Sequence, residues 1–143
     1  MRTTLLIACG NPLRRDDGVA HEVLRIIART PCRELRSVQQ LVPELAAEIA
    51  GFERVVFLDA DVRSMHPAIE PVRTAMPGSP LTHAANPAEI VAISRSLFGF
   101  NGEALVCRIP ARDFSPGESL APDQLQTMYE AASELERLLE HDL

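Results

Sequence analysis

The sequence predicts an α/β fold, a three-layer, mostly parallel twisted sheet of about five strands with helices on both faces. Two observations carry this. Continuous apolar runs of strand length, Thr3 to Cys9 (TTLLIAC), Val55 to Ala60 (VVFLDA) and Ala104 to Ile109 (ALVCRI), read as strands covered on both sides. Between them lie stretches whose apolar residues recur at helical spacing. Strands alternating with helices close into a parallel sheet through right-handed crossovers. No internal repeat, low-complexity tract or linker interrupts the 143 residues, so one domain over 1–143 is expected.

Each element has its own signal. After the first strand, GNPLRRDDG is a turn that becomes helical. Val19, Val23, Ile26 and Ile27 predict a helix from about Asp17 to Arg29, stopped ahead of Pro31. Leu35 to Leu41 is a weaker strand. Pro43 opens a short helix, PELAAEIAG, that Gly51 closes. The strand at Val55 to Ala60 leads into a loop over 61–66. Ala68 to Thr74 alternates and is bounded by prolines, as an edge strand would be. Residues 75–82 are rich in Pro, Gly and Ser and read as a loop. Asn86 then caps a helix with Pro87 in its first turn and an apolar stripe at Ile90, Ile93 and Leu97, ended by Gly99 or Gly102. The last strand, Ala104 to Ile109, is followed by a long loop from Pro110 to Leu120. Pro122 starts a final helix with Leu125, Met128, Ala132, Leu135 and Leu139 on its stripe.

Composition narrows the function classes. Apolar residues make up 46% of the chain and aromatics 4%, with no Trp, so the core must be aliphatic. The net charge of −6 and scattered arginines, with no Lys at all, argue against a nucleic-acid partner, which needs a concentrated basic surface. No run of about 18 apolar residues exists to span a membrane. The N-terminal apolar run ends in a polar turn and suits a strand better than a signal peptide. A cytoplasmic location is the expectation. Cys9, Cys32 and Cys107 are far apart and form no CxxC pair, so small buried thiols are expected rather than a disulfide framework or zinc ribbon.

In folds of this class, sites form outside the carboxyl ends of the strands. Three segments qualify. The first is the Gly10 to Gly18 turn. It lacks GxGxxG and the P-loop Lys, and its acidic pair would repel a phosphate. Asp16 fits the ordinary role of a carboxylate capping a helix start; two successive Asp cannot both cap, so Asp17 is open to either a structural or a chemical role. The second is Asp59, at the end of a buried strand, where a carboxylate is either a turn cap or a functional group; Asp61 falls in the following loop and is secondary. The third is a histidine. His141 and His66 read as solvated. His21, one helical turn after Asp17, could share its face. His83, in LTHAANP just before a helix, offers an imidazole as ligand or base. Two carboxylates and one imidazole suit a first-row metal and leave coordination positions open. These residues alone are compatible with a metal-assisted hydrolase or a metal-sensing domain.

GNPLRRDDGVA resembles the GNxLxxD(D/E)GxG signature of the [NiFe]-hydrogenase maturation endopeptidases. FLDA is similar to that family's second acidic strand end and LTH to its histidine loop. QQLVPELA and GESLAPDQL also resemble family segments, so the likeness runs in order along almost the whole chain. The resemblance implies an endopeptidase that removes a C-terminal extension from a hydrogenase large-subunit precursor after nickel insertion. It implies a nickel-reading set at Asp17, Asp59 and His83, with nickel supplied by the substrate rather than permanently bound. The chain departs from the pattern at Ala20, where the signature ends in Gly, and at Ala121, where the family often has Ser. Two other readings share parts of this pattern. A peptidyl-tRNA-hydrolase-like enzyme also has a GNP turn after its first strand, but the acidic charge opposes it. A non-catalytic metal-binding chaperone on the same fold differs only in lacking cleavage.

Overall fold

The computed structural model describes residues 2–73, 86–117 and 120–141. Five strands form one sheet: β1 (Thr4–Cys9), β2 (Arg33–Val38), β3 (Arg54–Asp61), β4 (Ala68–Pro71) and β5 (Glu103–Pro110). Their order is β2-β1-β3-β5-β4. All neighbours run parallel except β4, which pairs antiparallel with β5 at the edge. The predicted class is therefore the one observed. The edge strand is regular to Pro71, and the Val72 amide carries its pairing one step further by donating to the Ala104 carbonyl at 2.9 Å.

The helices divide between the two faces. α1 (Val19–Ile26) and α4 (Gln124–Glu140) pack on one side with Leu6, Val56, Leu105 and Cys107. α2 (Leu45–Ile49) and α3 (Pro87–Phe98) cover the other with Leu5, Ile7, Phe57 and Val106. Alternate residues of the same strand thus feed opposite cores, which is why those strands read as unbroken apolar runs. Ala20, the departure from the glycine of the signature, is completely buried within the α1 core, so its methyl is absorbed as packing.

Several boundaries differ from expectation. Residues Arg15–Gly18 form a 3-10 turn rather than the first turn of α1, and Ile27 is already extended. The second strand lies earlier, at Arg33–Val38, and β3 continues through Asp61 instead of ending before it. On α3 the buried face is Ile90, Val91 and Ser94, while Leu97 is exposed. On α4 Gln124 is buried and Leu125 exposed. Asn86 caps α3 as predicted, its side chain accepting from the Glu89 amide at 2.9 Å. Gly99, with φ of 72°, ends that helix in the left-handed conformation. The expected loop over 75–82 lies outside the described residues. Among the described residues, no helix is long and apolar enough to cross a membrane.

Candidate active site

The order β2-β1-β3 reverses direction in sequence between β1 and β3, and the carboxyl ends of these two strands flank a topological switch point. Asp17 follows β1, and Asp59 lies at the end of β3, in register with Cys9. The fold therefore places both acids where open α/β sheets build sites.

The turn carrying Asp17 is folded by its own polar groups. Gly10 has φ of 152°, and a Cβ there would lie 2.0 Å from the Asp17 carbonyl oxygen. Only glycine allows the chain to double back so closely. The Asn11 amide donates to Asp17 Oδ2 at 2.7 Å, and His21 Nε2 donates to the Gly10 carbonyl at 2.8 Å. His21 is thus a brace for the turn rather than a free ligand. Gly10→Ala is expected to lower stability by at least about 2 kcal/mol, from the positive φ together with the clash. Urea melts of the variant would check this, and an unchanged midpoint would contradict the close approach.

Asp16 has a different task. It is buried, and it accepts three backbone amides from the β5–α4 connection: Arg112 at 3.1 Å and Asp113 at 2.9 Å on one oxygen, Ala121 at 3.0 Å on the other. Backbone pairing of Arg15 and Leu13 with Gly117 runs alongside. Asp16 does not cap a helix start, as the sequence suggested, but orients the turn by holding a distant loop. Ala121 gives α4 no side-chain cap, and its amide is spent on Asp16 instead.

Burial and then the nearby Asp17 charge push the Asp59 carboxyl up from 3.8 to about 6, against the opposing pull of Arg108. The Cys9 thiol rises to about 11 through burial and then the charges of Asp59 and Asp17. The Asp17 charge acts on both the Cys9 thiol and the Asp59 carboxyl, which puts the three side chains in one electronegative locus. Such a locus favours a cation or a bound proton. Asp61 stands apart: its carboxylate accepts from Ser64 Oγ at 2.6 Å and the Arg63 amide at 3.0 Å, bonds that hold it below the usual carboxylate range. His66 is exposed, as read from the sequence, and so is His141. His83 lies outside the described residues. Among the described residues, no group of three or more His, Cys, Asp or Glu is placed to hold a metal ion.

Three residues escaped the sequence reading. Cys9, half-buried rather than buried, faces the acids because it ends β1 on the same side as Asp59 in β3. Its position at a strand's carboxyl end was a usable signal. Arg108 opposes Asp59 across the β3–β5 register and pairs with Glu70 at 2.7 Å. Arg112 binds the carbonyls of Val62 at 3.2 Å and Ser64 at 2.7 Å, fastening the loop after β3 to the segment that Asp16 holds. No motif marked it.

No protein-family model matches the chain, and no curated protein does. Solved structures do. A [NiFe] hydrogenase maturation protease HycI from Thermococcus kodakarensis KOD1 superposes with a TM-score of 0.75 at 17% identity, over 98% of this chain and 94% of that one. The hydrogenase maturating endopeptidase HybD from E. coli gives 0.77 at 16% identity, over 98% and 93%. A [NiFe] hydrogenase maturation protease HybD from Thermococcus kodakarensis gives 0.71 at 21% identity, over 96% and 99%. The chain has the fold of the solved [NiFe] hydrogenase maturation proteases along nearly its whole length.

Proposed function

We propose that the chain is an endopeptidase that removes the C-terminal extension of a nickel-loaded [NiFe]-hydrogenase large-subunit precursor. The observation that carries this is the meeting of Asp17 and Asp59 at the switch point of a fold shared with maturation proteases. Two carboxylates there, one of them holding its proton to about pH 6, form a site that gains by receiving a cation. Oxygen donors, with the imidazole of His83 from the resemblance, suit a first-row metal and leave positions open for the precursor's own ligands. Nickel belongs to the substrate in this reading. It marks the precursor as ready, and the carboxylates read it. Asp17 is already oriented by the Asn11 amide, so recognition needs little rearrangement of that side chain.

The test is processing of purified precursor with and without nickel. The loaded form is expected to be shortened and the nickel-free form to remain intact at the same concentrations. Losing one metal contact costs about tenfold in affinity for each 1.4 kcal/mol. Cleavage should also fall as pH drops through about 6, because Asp59 then takes up a proton and stops acting as a ligand. Equal cutting of both forms would sink the nickel-reading step and keep the protease. Binding of loaded precursor without any cutting would leave a metal-recognising chaperone instead.

A further inference from the structure

A cleft of about 540 Å³ opens beside Asp59 on the α3 face of the sheet. That size is typical of a site for a small molecule or a few residues of peptide. Its floor is the β4–β5 strip with Val106, Arg108 and Glu70, and its far wall is the first turn of α3. Val72 and Arg73 carry it away from Asp59 along the chain that continues β4. The charges are segregated. Arg108 is engaged by Glu70, whereas Arg73 has no ion pair among the described residues. Residues 74–85 contain no Asp or Glu, so the segment following Arg73 brings no carboxylate to neutralise it. Ala68 pairs with Arg108, and Arg73 lies five residues further on. At about 3.3 Å per extended residue, the backbone of Arg73 is roughly 16 Å along the strand from Ala68, the residue opposite Arg108 at the acid end of the cleft.

We propose that this cleft seats an extended segment of the polypeptide substrate, and that Arg73 recognises a carboxylate on it about four or five residues from the bond being cut. The identity of the peptide rests on the endopeptidase reading above. The apolar strip of Val72 and Val106 takes the intervening side chains, and the two ends differ in charge. That difference gives the segment a direction. An acidic side chain and a free chain terminus present the same carboxylate chemistry to Arg73.

The test uses the full-length protein and acetylated hexapeptides, with binding followed through the backbone amide resonances of Val72, Ala88 and Val106. One peptide carries a single Asp and an amidated terminus. A second has neutral side chains and a free terminal carboxylate. A third is neutral throughout. Either acidic peptide, or both, is expected to shift these resonances, and which one binds identifies the source of the carboxylate. The neutral peptide should bind at least about tenfold more weakly. Arg73→Glu should abolish the difference between acidic and neutral peptides, and Arg73→Lys should keep part of it. Equal binding of all three, no binding by any, or indifference to Arg73→Glu would overturn the proposal. On precursor, Arg73→Glu should raise KM about tenfold with little change in kcat. Peptide binding without precursor cleavage removes the endopeptidase reading and keeps the subsite. Cleavage unaffected by Arg73→Glu does the reverse.

Discussion

A protein carrying Asp59→Asn should lose processing of the nickel-loaded precursor by at least about a hundredfold, the usual scale for removing a positioned charge from a reacting centre. The same variant should be more stable than the parent above pH 6. The Asp59 carboxyl holds its proton to about 6 in the folded chain, against 3.8 ordinarily. The folded state therefore binds the proton more tightly than the unfolded one. The stability linked to that proton is complete below pH 3.8 and is lost as pH rises through about 6. The full difference is on the order of 3 kcal/mol, and partial access to water reduces it to about 2. An amide carries no charge to desolvate beside Asp17, so the variant should gain much of this at pH 8. Thermal melts at pH 4.5 and pH 8, read beside the cleavage assay, separate two views of the residue. A folded Asp59→Asn protein that still cuts would make Asp59 a turn cap. One that neither cuts nor gains stability at pH 8 would remove the charge crowding inferred at the site.

The second large effect is structural. Asp16→Ala strips a buried carboxylate from the amides of Arg112, Asp113 and Ala121. Hydrogen bonds to a charged group contribute about 1.5–3 kcal/mol each, and the orphaned amides recover part of that from water. A net loss of about 3–5 kcal/mol follows, a large share of the 5–15 kcal/mol that holds a typical domain. Asp16→Asn should fall between. Its carbonyl oxygen can replace the atom that serves Arg112 and Asp113, but its amino group then meets the Ala121 amide. Denaturant midpoints of the two variants would settle the order. Equal, small losses would mean that water already serves this pocket.

The sequence made the fold legible because its central strands are buried on both faces, and the β1, β3 and β5 runs could be little else. The positions of Asp17 and Asp59 near the carboxyl ends of β1 and β3 were legible for the same reason, Asp17 beyond its strand and Asp59 within the last residues of its own. Errors arose where a polar residue took a core position. Ser94 is buried on α3 because its hydroxyl donates to the Ala46 carbonyl at 2.7 Å, and Gln124 is buried on α4 because its amide donates to the Pro110 carbonyl. Hydrophobic periodicity counts such residues as solvent-facing and moves the stripe to Leu97 and Leu125, which are exposed. Arg112 was invisible for a related reason. Its partners are backbone carbonyls, and no residue type at a fixed spacing announces them. That Asp16 would serve backbone amides could be anticipated, but these proved to be amides about a hundred residues away rather than those of a helix start.

The contacts of Asp16 span 96, 97 and 105 residues of chain. During synthesis, β1, β3 and both acids leave the ribosome long before Ala121 does. The strands can pair in that interval and the turn can form its own bonds, but the Asp16 carboxylate lacks all three of its amide partners until the last quarter of the polypeptide arrives. Long-range closures of this kind are formed late, after the local contacts. A half-made chain therefore carries both acids before the segment that fastens the turn bearing Asp17 has been made.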